Sequence, residues 1–275
     1  MSFIRAKAAL SESRFADLRW VEETGSTNAD VHDLLATEAA ARPGEIVDLV
    51  LVADHQAAGR GRLDRTWETP PGVSLLMTVG TTRHVEDDLR GLVLTAMSLA
   101  AVEAMAQVAG FTSRIKWPND LVAVGVGDDG GDRKLGGVLA EASPLADGRV
   151  GLAVGIGVNC NWGGIPESLA GIATSLDLQV GHEVDREDLA VAIVEGFARR
   201  LDLLSTTDGA AAVVDEARSH SATVGRDIEV HLPHGEIEGR AVGIDDDGAL
   251  LVEVGESAEV RRVVVGDVLH VRPSS

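Results

Sequence analysis

Three arginines lie within six positions of one another in the segment HQAAGRGRLDRTW, residues 55 to 67. Arg60, Arg62 and Arg65 carry planar guanidinium groups that bind phosphate or carboxylate oxygens, and the glycines beside them let backbone amides approach a ligand. The composition is that of an anion-binding loop. A solvated surface loop whose arginines pair with nearby acids would have the same sequence, so both interpretations stay open from this segment alone.

The positive charge of this arginine loop contrasts with the composition of the whole chain. The 275 residues carry 44 acidic and 24 basic side chains, which gives a formal net charge of −20. Such a charge repels nucleic acids and anionic membranes, so an anion bound here must be held by local cations. Three of the basic residues are lysines, and two of them, Lys116 and Lys134, fall in motifs described below. A lysine in an arginine-rich chain indicates a place that needs a compact point charge.

The bulk composition favours a soluble globular protein. Hydrophobic residues make up 45% of the chain, which is enough for a compact core. Cys160 is the single cysteine, so an internal disulfide and a cysteine-rich zinc site are excluded. No run approaches the roughly 18 apolar residues of a membrane span, and residues 1–15 lack a signal-peptide core. We therefore expect a cytoplasmic protein without a membrane partner.

Hydrophobic periodicity predicts the elements that position these residues. Residues 26–40 predict an N-capped amphipathic helix, since three capping-type residues precede apolar residues at helical spacing. The apolar segments 46–53 and 73–80 predict neighbouring strands, each buried, with the arginine loop between them. Further strands between the helical segments 86–109 and 185–219 indicate an α+β fold, in which helices cover one face of a mixed β-sheet.

The character of the sequence changes from about Ser221 onward. Short alternating segments such as DIEVHL and ALLVEV are separated by PHG and DDDG turns. This pattern predicts a small β-barrel of about 55 residues. We therefore predict two domains, residues 1–220 and residues 221–275.

One glycine motif matches a dinucleotide-binding pattern but does not predict that function. The segment GVGDDG, residues 125 to 130, matches the pattern of dinucleotide-binding loops. Such a loop must open a helix whose amides face a pyrophosphate, whereas the residues that follow are strand-like and Asp128 and Asp129 would repel phosphate. We interpret the segment as a turn. The chain also lacks a Walker A sequence, an H-E-x-x-H pair and a G-x-S-x-G elbow.

Three further segments place polar residues or glycines at strand ends. KWPNDL, beginning at Lys116, puts Asn119 and Asp120 at a sheet edge, as an ordinary turn would also do. KLGGVLAE, 134–141, starts with a lysine and two glycines, and VGIGVN, 154–159, has glycine at alternate positions. Repeated glycine inside strands indicates that something lies flat against the backbone there, although a bulge or a tight helix contact gives the same pattern.

Taken in order, these segments resemble the catalytic domain of the biotin protein ligases, also called biotin–[acetyl-CoA carboxylase] ligases or holocarboxylase synthetases. The motifs that carry the resemblance are the GSTN helix start, GRGRLDRTW, KWPNDL, KLGGVLAE and GIGVNCN. The likeness covers roughly residues 20–210 and implies a sheet like that of the class II aminoacyl-tRNA synthetases. The C-terminal segment is similar to the family's SH3-like domain. Leu63 and Asp64 interrupt a loop that is often more basic in the family, and GIGVN stands where an alanine-containing variant is common.

The resemblance implies a two-step reaction. Enzymes of this family form biotinyl-5′-AMP from biotin and ATP with Mg²⁺, and then pass biotin to one lysine in the biotin carboxyl carrier domain of an acyl-CoA carboxylase. A carboxylate must meet the ATP α-phosphate, so cations have to neutralise several negative charges at once. Because water would destroy the mixed anhydride, we expect loop 57–67 to close over it as a lid.

The resemblance also implies a role for each motif residue. The biotin-binding residues would be Ser26, Thr27, Asn28, Gln56, Arg60, Gly61, Arg62, Lys134, Gly136, Gly137, Gly155 and Gly157. The residues that bind ATP or the adenylate would be Arg62, Arg65, Trp67, Lys116, Asn119 and Asn159. The catalytic residues would be Lys134, Arg60, Arg62, Lys116 and Asp120, and Asp120 would also help to place the metal or the acceptor lysine.

Several alternatives stay open at this point. Some members of the family are repressors with a DNA-binding winged helix before the catalytic domain, but GSTN begins at residue 25, so we expect the monofunctional form and no DNA partner. Many members dimerise through the catalytic sheet, which makes a homodimer an open question. A lipoate-protein ligase shares the fold plan, and a non-catalytic protein that binds biotin or nucleotide would keep the same motifs.

Overall fold

The computed structural model describes residues 3–63, 65–232, 235–255, 258–264 and 266–270. They form a larger α+β domain and a smaller β domain. The larger domain contains α1 (Ile4–Ala9), β1 (Leu18–Thr24), α2 (Thr27–Ala41), β2 (Asp48–Gln56), β3 (Ser74–Thr81), α3 (Arg90–Ala104), β4 (Arg114–Lys116), β5 (Asp120–Ala123), β6 (Arg133–Pro144), β7 (Val150–Asn159), α4 (Leu176–Val180), α5 (Arg186–Leu203) and α6 (Thr207–His220). The smaller domain contains β8 (Asp227–Leu232), β9 (Gly235–Ile244), β10 (Leu250–Val254), β11 (Glu259–Val263) and β12 (Asp267–His270).

Seven strands of the larger domain form one mixed sheet in the order β1-β2-β3-β7-β6-β5-β4. Strand β1 runs parallel to β2, and the other neighbouring strands are antiparallel. The two segments predicted to be neighbouring buried strands are β2 and β3, which pair directly. The α+β fold with a mixed sheet is therefore confirmed.

Helices cover both faces of this sheet, so the expected single covered face is wrong. In β2, Val50 and Val52 belong to the main core with α3 and α5, whereas Leu49 and Leu51 pack with α2 on the opposite face. Side chains alternate across a strand, and every residue of β3 is buried. Strands that are apolar on both sides need cover on both sides, which a single helical layer cannot supply.

The predicted helix after β1 is α2, and it begins at Thr27. Its N-cap residue, Ser26, makes no side-chain capping hydrogen bond. Instead, Gln56 Oε1 at the end of β2 accepts from Thr27 N at 2.8 Å and from Thr27 Oγ1 at 2.9 Å. The first backbone amide of the helix is thus satisfied by a residue of a distant strand, which fixes the helix start to the sheet.

The predicted helix over 86–109 is α3, which continues through a π-helical turn, Met105–Ala109, to Gly110 at φ 67°. Contrary to the expectation that no run is long enough, the segment Arg90–Ala109 could span a membrane by length and composition alone, with a mean hydropathy of 1.7. Two thirds of it is buried inside the protein, where it packs on α5, α6 and β6. Its apolar character is therefore explained by its position as a core helix.

The segment GVGDDG connects β5 to β6 and is a turn, as predicted. Gly125 and Gly130 have φ values of 68° and 70°, and no helix follows them. A Cβ atom on Gly127 would lie 2.2 Å from the Arg133 guanidinium carbon. The glycines therefore serve a tight hairpin closed by an arginine, so no dinucleotide-binding loop is formed here.

The smaller domain is an antiparallel sheet in the order β11-β10-β9-β8-β12. This arrangement is consistent with the predicted SH3-like domain. The first two residues of the PHG turn, Pro233 and His234, lie outside the described residues, as do residues 271–275 of the predicted barrel. Helix α6 ends at His220. The domain boundary between residues 220 and 221 stays a prediction.

The two domains meet around the β4–β5 turn and the β5–β6 hairpin. Trp117 N donates to Thr223 Oγ1 at 3.0 Å. Arg226 Nη1 donates to Asp132 Oδ2 and to His270 Nδ1, each at 2.8 Å. Burial lowers the pKa of His270 to about 4, and nearby cationic side chains act in the same direction. The imidazole is therefore neutral at pH 7 and can accept a hydrogen bond from Arg226.

We expect His270 to lower the stability of the protein in acid. Its pKa in the folded protein lies below the ordinary value of 6.5, so the unfolded chain takes up a proton that the folded protein does not. Its contribution to the free energy of unfolding is full above pH 6.5 and decreases by about 3 kcal/mol on going to pH 4. Urea unfolding at pH 7 and at pH 4 should show that the free energy of unfolding decreases less for His270→Gln than for the wild type. Equal losses would contradict this assignment.

Candidate active site

Two adjoining cavities open beside the start of α2, the arginine loop and the smaller domain. The first, called the inner chamber, has a volume of about 220 Å³, and the second, the outer chamber, about 940 Å³. The residues that line both are Arg65, Thr66, Trp67, Lys116, Asp120, Lys134 and Leu269. Segments that are far apart in the sequence therefore form one continuous cleft.

The inner chamber brings together most of the residues that the motifs single out. They are Ser26, Thr27, Asn28, Gln56, Arg60, Gly61, Arg62, Arg65, Trp67, Lys116, Asn119, Asp120, Lys134, Gly137, Gly155 and Gly157. Asn159 lies instead in the wall of the outer chamber. Its Nδ2 donates to Thr174 O at 3.0 Å, and its buried Oδ1 has no hydrogen-bond partner among the described residues.

Gly136 lines neither chamber, contrary to the expectation that it forms a wall of the biotin site. A Cβ atom at this position of β6 would lie 2.5 Å from the carbonyl oxygen of Gly157 on the neighbouring strand. The close approach of two backbones therefore explains this glycine, and no ligand is needed to account for it.

The alternate glycines of β7 make room for side chains of the protein itself. A Cβ atom on Gly155 would lie 2.1 Å from Asn28 Oδ1, and one on Gly157 would lie 2.8 Å from Trp67 Cε2. The sequence pattern correctly indicated that something lies flat against this strand. In this structure the neighbours are a buried amide from α2 and the indole that ends the arginine loop.

Two lysines stand at the boundary between the chambers. Lys134 Nζ lies 2.5 Å from Asp120 Oδ1 and 5.3 Å from the centre of the Trp67 ring. Burial lowers the pKa of Lys116, and the Asp120 carboxylate opposes that shift. An ammonium group that has lost part of its water interacts strongly with an incoming anion. The pair therefore provides two point charges where the chambers join.

Arg62 connects the arginine loop to both walls of the cleft. Its Nη1 donates to Asn119 Oδ1 and to Gly266 O, each at 3.3 Å, and lies 3.9 Å from Asp267 Oδ1. Burial lowers the pKa of Arg62, while the nearby Asp267 carboxylate acts in the opposite direction. Arg62 is thus a partly desolvated cation held between the two domains.

The other loop arginines pair with two carboxylates, of which Asp267 lines the inner chamber and Glu141 lines neither chamber. Arg65 forms an ion pair with Asp267 of the smaller domain, and Arg60 Nη1 lies 3.5 Å from Glu141 Oε1 on β6. The anion-binding interpretation of the loop stays a prediction. The arginines do pair with acids, as in a surface loop, but Asp267 lines the same chamber as the arginines themselves.

Beneath the polar residues that line the inner chamber lies a buried threonine, Thr78, which the sequence analysis missed. Thr78 Oγ1 lies 2.8 Å from Thr27 Oγ1 and 2.7 Å from Asn28 Oδ1. Thr78 is fully buried in β3 and is the one hydroxyl in the middle of the apolar run VSLLMTVG. That position is the signal that could have revealed it. Glu141 and Asp267 were also missed, and nothing in their local sequence separates them from the many other acids.

The cleft suits a magnesium ion that binds together with the phosphates of a nucleotide better than an ion that protein ligands alone would hold. Mg²⁺ in such sites uses one or two carboxylates together with substrate phosphates and water. Asp120 offers a carboxylate, but its Oδ1 already faces Lys134 at 2.5 Å. Within the described residues, the group of histidine and acidic side chains with metal-ligand spacing is Glu229, His231 and Glu236, which lines neither chamber.

Sequence comparison identifies the same two regions that the structure separates. Residues 44–161 match the biotin/lipoate A/B protein ligase family, and residues 223–271 match the biotin protein ligase C-terminal domain. A biotin–[acetyl-CoA-carboxylase] ligase of Mycobacterium tuberculosis is 34% identical over 94% of this chain and 91% of its own. The bifunctional ligase/repressor BirA of Bacillus subtilis is 29% identical over 88% of this chain and 70% of its own.

Solved structures agree with these relatives. A biotin protein ligase from Aquifex aeolicus in complex with biotin and ATP superposes with a TM-score of 0.71 at 25% identity, over 94% of this chain and all of that one. A biotin protein ligase from Leishmania major in complex with biotin gives a TM-score of 0.58 at 24% identity, over 90% and 98% of the two chains, and shows the fold alone. Domain matches, a relative 34% identical across nine tenths of both chains, and a shared fold lead to one conclusion: the chain belongs to the biotin protein ligase family.

Proposed function

We propose that this chain is an ATP-dependent ligase that forms biotinyl-5′-AMP and passes biotin to a lysine in the carrier domain of an acyl-CoA carboxylase. The observation that carries the proposal is the convergence of a polar floor, two lysines and three arginines on one cleft. A molecule with a polar ring at one end and a carboxylate at the other, together with a nucleotide triphosphate, matches that distribution of groups.

The biotin ring binds in the inner chamber, where its ureido group meets the polar floor. The floor residues are Ser26, Thr27, Asn28 and Gln56, and all four line the chamber. A buried floor whose hydrogen bonds require a polar ligand discriminates against analogues that lack the polar group. Lys134 binds the biotin carboxylate at the boundary of the two chambers, and Gly137, Gly155 and Gly157 line the inner chamber beside the ring.

The nucleotide binds across the boundary into the outer chamber. Lys116, Arg62 and Arg65 face its phosphates, and Trp67 covers the bound molecule. The unpartnered Oδ1 of Asn159 accepts from the adenine amino group, which removes a buried unsatisfied acceptor. A carboxylate oxygen of biotin attacks the α-phosphorus, and the bond to pyrophosphate breaks. Because the nucleophile is weak, the rate comes from orientation and from charge stabilisation by the cations.

In the transfer step, a neutral amine of the acceptor lysine attacks the acyl carbonyl, and AMP leaves. Asp120 orients this amine and accepts a hydrogen bond from it. Its role is limited to orienting the amine or to accepting its proton transiently, because a carboxylate is too weak a base to deprotonate an ammonium ion. Magnesium, when bound with ATP, neutralises phosphate charge, and Asp120 is the residue that would hold it.

Three further assignments, which concern other partners, cellular location and oligomeric state, are also part of the proposal. A formal net charge of −20 disfavours DNA and anionic membranes as partners. We place the protein in the cytoplasm, where its ATP and carrier-domain substrates are found. A homodimer through the catalytic sheet stays a prediction.

The proposed activity is tested by pyrophosphate release from the full chain on addition of biotin, ATP and Mg²⁺. We expect release with biotin, a much lower rate with lipoate, and biotin transfer when a carrier domain is added. Binding of biotin without pyrophosphate release would indicate a non-catalytic binding protein. A faster rate with lipoate would indicate a lipoate-protein ligase.

Replacing Lys134 should abolish most adenylate formation. Lys134→Met keeps the length of the side chain but removes the charge that binds the biotin carboxylate, so we expect kcat/KM for pyrophosphate release to fall about 10²- to 10³-fold. Lys7→Met is the matched control, since Lys7 is exposed on α1. An equal effect of both variants, or none at Lys134, would contradict the assigned role.

Replacing Arg62 should weaken retention of the intermediate. The Arg62 guanidinium joins the loop to Asn119 and Gly266, so Arg62→Gly removes the contact that holds the loop over the cleft. We expect biotinyl-5′-AMP to appear in solution and to label lysines of an added bystander protein such as albumin. Arg42→Gly, on the exposed end of α2, serves as control. Unchanged retention in Arg62→Gly would remove the lid function of the loop.

A further inference from the structure

The floor of the inner chamber has more hydrogen-bond acceptors than protons. Three close oxygen contacts run through it: Gln56 Oε1 to Thr27 Oγ1 at 2.9 Å, Thr27 Oγ1 to Thr78 Oγ1 at 2.8 Å, and Thr78 Oγ1 to Asn28 Oδ1 at 2.7 Å. Each contact needs one proton, and the two threonine hydroxyls supply two. Thr27, Asn28 and Thr78 are almost fully buried, so the missing proton is a true deficit.

The orientation of the Asn28 amide creates this deficit. Its Nδ2 donates to Glu141 Oε2 at 2.7 Å and to Leu139 O at 3.2 Å, which directs Oδ1 toward Thr78. If the amide rotated by half a turn, its NH₂ group would donate to Thr78, and all three contacts of the floor would be satisfied. That rotation would place Oδ1 against two acceptors, the carboxylate and the carbonyl, so it is unfavourable.

Glu141 is the group that holds this orientation most strongly. An ionised carboxylate accepts hydrogen bonds and donates none, and its contact with Asn28 is the shorter of the two. Its other oxygen, Oε1, lies 3.5 Å from Arg60 Nη1, so the cation of the loop balances its charge. The Glu141 side chain is 30% exposed, which leaves the carboxylate partly desolvated.

We infer that Glu141 is a positioning residue for biotin: by fixing the Asn28 amide, it leaves one oxygen of the floor of the inner chamber without a donor, and a ligand N–H group donates a hydrogen bond to that oxygen. The inference rests on the proposed function, since the ureido group of biotin carries the N–H groups that the floor needs. Glu141 does not itself contact the ligand in this account. It also joins the floor to the arginine loop through Arg60.

The test measures biotin affinity by calorimetry on the full chain, without ATP. Glu141→Gln can either accept from Asn28 or donate to it, so the rotated amide would face one opposing acceptor, Leu139 O, instead of two, and rotation would satisfy the floor. We expect the Kd for biotin to rise about tenfold, in line with one lost hydrogen bond, while the Kd for ATP alone changes less than twofold. Glu12→Gln, at an exposed position, is the matched control.

A double-mutant cycle separates positioning from a general structural role. Thr78→Val removes the hydroxyl through which the Asn28 orientation acts on the floor. In that background, Glu141→Gln should have no further effect on the Kd for biotin, because the hydrogen bond between Thr78 and the Asn28 amide is already lost. Additive effects in the double variant, or an unchanged Kd in Glu141→Gln, would overturn the inference while leaving the ligase function intact. A wild-type chain that binds no biotin would overturn the proposed function itself.

Discussion

The cations of the cleft stand beside carboxylates, and the rest of the site depends on this pairing. The pairs are Lys134 with Asp120, Arg60 with Glu141, and Arg65 with Asp267. A partly desolvated cation without a partner would destabilise the folded chain, whereas an incoming phosphate or carboxylate can take the place of the protein carboxylate at little electrostatic cost. The net charge of −20 and the cationic loop are therefore compatible, because the cations of the cleft have carboxylates beside them in the structure.

The smaller domain completes the cleft. Gly266 and Asp267 bind two arginines of the loop, although the loop lies 200 residues earlier in the chain. Trp117, in the KWPNDL turn, donates its indole N–H to Gly248 O at 3.0 Å and so fixes the same turn that carries Asn119. These contacts hold both the arginine loop and the KWPNDL turn against the smaller domain. Separation of the two domains would therefore disturb the site, even though most of its residues belong to the larger domain.

A different close neighbour explains each of three glycines around the cleft. Gly136 permits two backbones to approach, Gly155 leaves room for the buried Asn28 amide, and Gly157 leaves room for the Trp67 ring. A substitution at Gly155 would therefore disturb the polar floor before it touched a ligand. This arrangement explains why a strand interior tolerates glycines that lower its intrinsic stability: each one provides space for a neighbour that the site requires.

The class of fold, the neighbouring buried strands β2 and β3 and the helix α3 could be predicted from the amino-acid sequence, whereas the expected chemistry of the cleft rested on the resemblance of its motifs to the biotin protein ligases. Periodicity and residue type are local properties, so they can be read without coordinates. The three-dimensional arrangement was needed to show that helices cover both faces, that Gln56 caps α2, that Asn159 faces the outer chamber and that Gly136 lines neither chamber. It also supplied the partners Thr78, Glu141 and Asp267, because contacts such as that of Arg65 with Asp267, 202 positions apart, arise from packing and leave no pattern in the sequence around either residue.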